Sequence, residues 1–347
     1  MATWPDVLSR LMGRNDLTKD DTAWVMDRVL ADEAPPVAVA AFLAAIRTKG
    51  ETVEEVAGLA EAMLGHAKRI DVPGRAVDVV GTGGDGRHTI NISTTASIVV
   101  AGTGTTVVKH GNRAASSKCG AADMLAALGV SLELAPERVE EIAKEVGITF
   151  CFAPVFHPSM RFAGPIRKEL GVPTTFNILG PLTNPAQPAS SAIGSASLVL
   201  SPIMAGVLAG QGRDGLLFRS LDGLDELAGT SPADVWEVRG GKVKETLLDP
   251  VNDLGVDPIK VEDLAGGEAE DNAAIAMKVL TGEKGPARDT IILNAAAGLV
   301  ADGVLEGTDS GSLASRFRAG MGHAAKAIDD GAAVDVLERW VAACKAS

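Results

Sequence analysis

A short β-branched run, Ala76-Val77-Asp78-Val79-Val80, stops abruptly at glycines, Gly81-Thr82-Gly83-Gly84-Asp85-Gly86, and no other stretch constrains the fold as tightly. The pattern predicts a buried strand ending in a loop. A helix is expected over residues 91–101, a second strand at Thr105-Thr106-Val107-Val108, and a second helix from Ser117 to Leu128. Strand, loop, helix and strand in that order form a βαβ unit, which implies a parallel sheet covered by helices. With aromatics at 3% and no Tyr, the core must be built from Ala, Val, Leu and Ile, which suits that arrangement.

The same punctuation continues downstream. Pro136 to Val146 predicts a helix stopped by Gly147, and Ile148 to Phe152 a strand. Met160 to Leu170 predicts a helix, followed by a Pro-rich connection from Pro173 to Pro188. Gly215 to Phe218 predicts a strand, residues 235–261 short strands and turns, and Thr290 to Leu299 and Ala333 to Ala343 helices. Residues 1 to about 70 show no strand pattern. An amphipathic helix is expected from Asp20 to Leu30. An almost wholly apolar helix from Val37 to Ile46 is expected to be buried. Thr52-Val53-Glu54-Glu55 is a capping box opening a helix that runs to about Met63. The expected fold class is α/β. A small all-helical domain over 1–70 precedes a large α/β domain over 71–347, whose central, mainly parallel sheet is flanked by helices.

Gly81 to Gly86 literally matches the G-x-G-x-x-G of dinucleotide sites. Such a site also needs an acid at the end of the second strand to hold a ribose. No Asp or Glu occurs between Asp85 and Asp123, and the second strand runs instead into Lys109-His110. A phosphorylated dinucleotide, which takes a base there, stays open. Residues 86–122 carry Arg87, Lys109, Arg113 and Lys118 and no acid. That is +4 in a chain of net charge −13, which leaves −17 to the rest. A basic island rich in Gly, Ser and Thr focuses field on an anionic ligand, and glycine N–H groups and a following helix start bind oxyanions. Asn91-Ile92-Ser93-Thr94 fits helix capping and ligand binding equally. Lys109-His110-Gly111-Asn112-Arg113-Ala114-Ala115-Ser116-Ser117 puts cations, an amide and hydroxyls at the same carboxyl edge of the sheet, where open α/β sheets bind ligands.

Five motifs in order, Gly81-Thr82-Gly83-Gly84-Asp85, Asn91-Ile92-Ser93-Thr94, Lys109-His110-Gly111-Asn112-Arg113, Asn177-Ile178-Leu179-Gly180-Pro181-Leu182-Thr183-Asn184-Pro185 and Asp222-Gly223-Leu224-Asp225-Glu226, resemble the anthranilate phosphoribosyltransferases over nearly the whole chain. The resemblance implies transfer of the phosphoribosyl group of phosphoribosyl pyrophosphate to the amine of anthranilate, a step of tryptophan biosynthesis. It also implies a cytoplasmic homodimer packed through the helical domain, which helices from about residues 159–185 would join in space. Phosphoribosyl pyrophosphate would lie on Gly81, Gly84, Asp85, Thr89, Asn91, Ile92, Ser93, Thr94, on Lys109 through Ser117 (Lys109, His110, Gly111, Asn112, Arg113, Ala114, Ala115, Ser116, Ser117) and on Ala121. Anthranilate would meet Gly81, Asn112 and Arg167. Ser93, Asp225 and Glu226 would hold Mg²⁺, two ions per subunit. No obligatory general base is implied, and His110 is the candidate for a proton relay.

Taken as bare residues, Asp225-Glu226 is one more acidic pair among 45 acids, and Arg167 beside Lys168 is an exposed helix cation. The chain departs from the family where Ala121 and Cys119 stand for frequent serines, and where Arg219-Ser220 stands for His-Gly. His66, His88, His157 and His323 are expected to be structural or exposed. The acidic balance argues against a nucleic-acid surface. No membrane span is expected, because the run from Ile92 to Val108 is broken by Ser, Thr and Gly. Nor is a secretory signal expected, because the start lacks a basic stretch followed by an apolar one. Three widely spaced cysteines suit free thiols in a reducing compartment. Two alternatives remain: a nucleoside phosphorylase of related architecture, and a non-catalytic relative that binds nucleic acid.

Overall fold

The computed structural model describes residues 2–114 and 118–346. Four helices open the chain: α1 (Trp4–Met12), α2 (Lys19–Leu30), α3 (Pro36–Lys49) and α4 (Val53–Gly65). Thr18 and Thr52 each accept an N–H of the first turn while Asp21 and Glu55 reach back to the cap, so α2 and α4 both start in capping boxes. The chain then alternates through β1 (Val77–Gly81), α5 (Ile92–Gly102), β2 (Val107–Gly111), α6 (Ala121–Ala127), α7 (Pro136–Val146) and β3 (Ile148–Phe152). A short α8 (Ala153–Phe156), a 3-10 turn (Pro158–Phe162), α9 (Gly164–Leu170) and α10 (Phe176–Leu182) bring it back against the opening helices. β4 (Ser190–Gly194), α11 (Leu200–Gly210), β5 (Asp214–Ser220), β6 (Ala233–Arg239) and β7 (Lys242–Leu248) complete the sheet. α12 (Pro250–Leu254), α13 (Ala269–Leu280), α14 (Pro286–Asp302), α15 (Leu313–Asp329) and α16 (Ala332–Lys345) follow.

The strand order is β3-β2-β1-β4-β5-β6-β7. The first five strands are parallel, and β6 and β7 are antiparallel additions at one edge. Chain order reverses between β1 and β4, which places the crevice of an open α/β sheet at their carboxyl ends. Gly81 pairs with Gly194 there. Side chains on successive strand residues go to opposite faces. Val77 and Val79 join one core with α5, α14, α15 and α16, while Val80, Ile193, Leu217 and Trp236 join a second core with α11 and the opening helices. The helical bundle therefore shares a core with one face of the sheet.

Several expectations change. β2 runs on to Gly111, so Lys109 and His110 lie in a strand and not in a loop. α6 starts at Ala121, because Asp123 accepts the N–H groups of Gly120 and Ala114 at 2.9 Å and holds the preceding chain in a turn. The helix expected over 160–170 is a 3-10 turn and then α9, each with a proline in its first turn. The Pro-rich connection contains α10, with Pro181 tolerated in its last turn. The apolar tract of α3 is not wholly buried: Val37 is 78% exposed, and Ala41 and Ala44 share its outer face.

Candidate functional site

The carboxyl ends of β1 and β2, the start of α5 and the start of α10 surround a cavity of about 850 Å³. Every described residue expected to meet substrate or metal lines it: Gly81, Gly84, Asp85, Thr89, Asn91 to Thr94, Lys109 to Ala114, Ala121, Arg167, Asp225 and Glu226. Ala115, Ser116 and Ser117 lie outside the described residues.

The acidic pair owes its place to missing side chains. Asp225 and Glu226 sit on the turn after β5. Leu227 N–H donates to Asn294 Oδ1 at 3.1 Å, and Asn294 Nδ2 returns a bond to Leu227 O at 2.7 Å, which pins the turn to α14. A Cβ on Gly194 would stand 1.6 Å from Asp225 O, and one on Gly81 2.6 Å from Asp225 Oδ2. Only glycine at both positions lets the acids under the loop. Gly83 N–H donates to Asp225 Oδ2 at 2.7 Å, and Ser93 N–H, at the start of α5, donates to Glu226 Oε1 at 3.2 Å. Asp225 and Glu226 are only 8% and 7% exposed, and Asp85 Oδ2 beside them is buried with no donor among the described residues. Burial, and then the neighbouring Asp85 charge, raises the Asp225 carboxyl to about 7. Burial and then Asp225 raise Glu226 well above the usual carboxylate range. Two buried acids with a third alongside are short of positive charge. Among the described residues no three His, Cys, Asp or Glu form a cage for a metal ion. That donor set fits Mg²⁺, which binds through one or two carboxylates and completes its shell with phosphate oxygens and water.

The basic island is less free than its charge suggests. Lys109 is 2% exposed and donates its Nζ to Val79 O, with Asp78 and Glu226 as its charged neighbours. Its ammonium is thus engaged by the sheet and is not a free cation, although Lys109 lines the cavity. Arg113 pairs with Asp123 at 2.8 Å. Arg87 donates to Asp222 O and so ties the glycine loop to the acidic turn. Asn91, undecided between capping and binding, does not cap α5 with its side chain. Its Nδ2 donates to Cys119 O at 3.3 Å, and its Oδ1 accepts from Asn272 at 2.8 Å and from Cys119 Sγ at 3.1 Å. Cys119 is thus a buried packing residue. Ser220 closes on the Ser231 hydroxyl at 2.8 Å, and Arg219 Nε donates to Ala196 O at 3.4 Å, which shows what the Arg219-Ser220 departure does locally.

Arg167 faces the cavity from α9 with its guanidinium 5.4 Å from the Phe176 ring centroid. It is half-buried, and no hydrogen bond or ion pair engages its side chain among the described residues. Burial holds its pKa below the usual arginine range, but a guanidinium stays charged at pH 7. An arginine so placed fits a planar carboxylate. His110 meets Gly180 O through Nδ1 at 3.0 Å, so Nδ1 carries the proton and Nε2 is a lone pair. That Nε2 is buried without a partner among the described residues. His157 is buried as well and lies 5.1 Å from His110, ring to ring, with Nε2 on Thr183 O at 3.0 Å. Burial first, then His157, depresses the His110 pKa to about 3; burial depresses His157 to about 4.

Sequence reasoning gave no role to Phe176, Asn177, Gly180 or His157, all of which line the cavity. The first three lay inside or beside a quoted motif, so their signal was present. His157 had none.

Two family models cover the chain: the glycosyl transferase family α/β domain over residues 73–334 and the helical bundle domain of the same family over 5–67. The chain therefore belongs to this glycosyl transferase family. An anthranilate phosphoribosyltransferase of Arthrobacter sp. (strain FB24) is 54% identical over 340 residues, which cover 98% of this chain and 96% of that one. The crystal structure of the anthranilate phosphoribosyltransferase from Thermus thermophilus superimposes with a TM-score of 0.90 at 41% identity, covering 98% of this chain and 99% of that one. The Saccharomyces cerevisiae enzyme, solved in complex with phosphoribosyl pyrophosphate and Mg, superimposes with a TM-score of 0.88 at 28% identity, covering 99% and 98%. Within the family, the chain falls among the anthranilate phosphoribosyltransferases. These findings support that reading over the nucleoside phosphorylase and nucleic-acid-binding alternatives.

Proposed function

We infer that the chain transfers the phosphoribosyl group of phosphoribosyl pyrophosphate to the amine of anthranilate, releasing pyrophosphate, in tryptophan biosynthesis. Family membership supports the activity. The observation that carries the site is Arg167, a half-buried guanidinium with no hydrogen bond or ion pair among the described residues, facing the same cavity as the buried acids.

In this reading the glycine loop and the N-terminus of α5 take the pyrophosphate through backbone N–H groups and the helix dipole. Asp225 and Glu226, with Ser93, would hold Mg²⁺, two ions per subunit, and Asp85 stands beside them. When bound, the metal supplies positive charge to the phosphate oxygens of the leaving group. Arg167 would take the anthranilate carboxylate, with Asn112 and Gly81 also in contact with the acceptor. The amine nitrogen forms a bond to the ribose anomeric carbon as the bond to pyrophosphate breaks, and the amine then gives its proton to water or to the departing pyrophosphate. The aromatic amine is a neutral nucleophile at pH 7, and holding it at the carbon supplies much of the rate. With a pKa of about 3 and its Nε2 buried, the His110 imidazole is a poor base, and in this reading it holds the cavity wall through its bond to Gly180 O.

The division at residue 70, with residues 159–185 joining the helical part, is supported by the packing of α9 on α3 and of α10 on α4. A homodimer through the helical domain is supported by the exposed apolar face of α3 and by Met12 of α1, 79% exposed. A cytoplasmic site of action is supported by three buried free cysteines. No helix among the described residues is long and apolar enough to cross a membrane.

Loss of anthranilate fluorescence on adding the protein, Mg²⁺ and phosphoribosyl pyrophosphate tests the activity. Arg167→Ala tests the site. The expected outcome is a KM for anthranilate raised by roughly tenfold or more, as loss of a charge-assisted pair implies, with the KM for the donor little changed. Equal rises in both would remove Arg167 from the acceptor site.

A further inference from the structure

We propose that Glu51, in the helical domain and outside the cavity, is a positioning residue for the acceptor: it acts through Thr175 and α10 on Phe176, and so on Arg167. Glu51 occupies the turn between α3 and α4, with its side chain fully buried. Its Oε1 accepts from Thr175 Oγ1 at 2.8 Å, and its Oε2 from Arg47 Nη1 at 3.3 Å. A buried carboxylate is costly unless its oxygens are paired, so these two bonds decide whether Glu51 can stay there.

The turn that presents Glu51 is itself fixed. Glu55 accepts from Thr52 N–H, Lys49 Nζ and Leu17 N–H, each at 2.9 Å. The capping box that looked purely structural in the sequence therefore holds the base of a strut. Its far end is Thr175, fully buried and immediately before α10. Thr174 N–H donates to Asn177 Oδ1 at 3.2 Å and closes the same turn. α10 then supplies Phe176, over which Arg167 lies, and Gly180, whose carbonyl fixes the His110 ring. The setting of Arg167, and with it the acceptor's carboxylate, thus depends on where α10 begins.

The phosphoribosyl side has separate supports. The acidic turn is pinned by Asn294 and Gly83, and the glycine loop by Arg87 on Asp222. None of these touches Glu51 or Thr175. Loosening the strut is therefore expected to disturb the acceptor and spare the donor, which a residue that merely stabilises the fold would not do.

The inference rests on the reading that anthranilate's carboxylate meets Arg167, and steady-state kinetics on the full chain separate the two. Thr175→Val and Glu51→Ala are expected to raise the KM for anthranilate about fivefold, the equivalent of one ordinary hydrogen bond, with the KM for phosphoribosyl pyrophosphate changed less than about twofold. Thr175→Ser, which keeps the hydroxyl, is expected to recover near-native values. The double variant is expected to be no worse than Thr175→Val alone. Parallel rises in both KM values, a fall in thermal midpoint without a KM change, or a Thr175→Ser variant as impaired as Thr175→Val would each overturn the role of Glu51. If Arg167→Ala is itself unselective, the acceptor-site reading fails. If Arg167→Ala is selective and the Glu51 and Thr175 variants are not, only the strut fails.

Discussion

His110 and His157 illustrate how burial sets chemistry one residue at a time. Each gives its ring N–H to a carbonyl, and each is neutral in the folded chain with a pKa of about 3 or about 4, against about 6.5 when exposed. Below pH 6.5 the unfolded chain takes up protons that the folded chain refuses. The stability these histidines give is full above about 6.5 and is lost as pH falls toward the folded values. At pH 5 the loss is about 2 kcal/mol for each. Asp225 acts in the opposite sense, because its raised carboxyl keeps its proton when folded and so favours the folded state at low pH. The histidine contribution is therefore read as a difference. Between pH 7 and pH 5, the urea-unfolding free energy of a His110→Gln/His157→Gln variant is expected to fall by several kcal/mol less than that of the unchanged chain. Identical changes would mean that the rings are not held neutral. None of this was legible beforehand, because a histidine looks the same in sequence whether it is buried or exposed.

At the scale of elements, legibility followed locality. α7 and β3 run over the residues the sequence predicts, because Pro136 and Gly147 bound the helix and the apolar, aromatic-rich run Ile148 to Phe152 marks the strand. β4 was not foreseen. Ser190-Ser191-Ala192-Ile193-Gly194 is short, small and polar, and it is a strand only because β1 and β5 pair with it on both sides. Its small residues also admit the acidic turn. α14 shows the same close fit on the other face of the sheet. A Cβ on Gly298 would stand 2.8 Å from Val79 Cγ2 and 3.2 Å from Val100 Cγ2. Gly298→Ala gains up to about 1 kcal/mol of helix propensity but forces stiff, buried valines apart, at a cost of about 1–3 kcal/mol. Net destabilisation is expected in thermal or urea unfolding, with partial recovery in the Gly298→Ala/Val79→Ala double variant. A more stable single variant would show that α14 can shift away from β1.

For the whole molecule, two features matter: a shared core and an uncovered face. The helical bundle is continuous through α11 with one face of the sheet, so it frames the cavity through α10 and is not a separate appendage. Its outer side leaves Val37, Ala41 and Ala44 at helical spacing on α3, with Met12 on α1. The unbroken apolar run of this helix had pointed to full burial within the chain. A second copy of the chain is the occupant that the homodimer reading requires. Sedimentation is expected to give a dimer at micromolar concentration, and Val37→Glu a monomer. A chain that is monomeric without substitution would remove the dimer from the reading.

By itself the sequence determined the parallel α/β class, the opening helices and the two polar segments at the carboxyl ends of β1 and β2. Those follow from local periodicity, glycine placement and a stretch of 37 residues without an acid. Five ordered motifs then carried the family. The tertiary structure alone decided which charges are available. It turned Lys109 into the sheet, paired Arg113 with Asp123, left Arg167 open to the cavity and raised the Asp225 carboxyl to about 7. Availability depends on burial and on partners far away in the chain, and composition and spacing record neither.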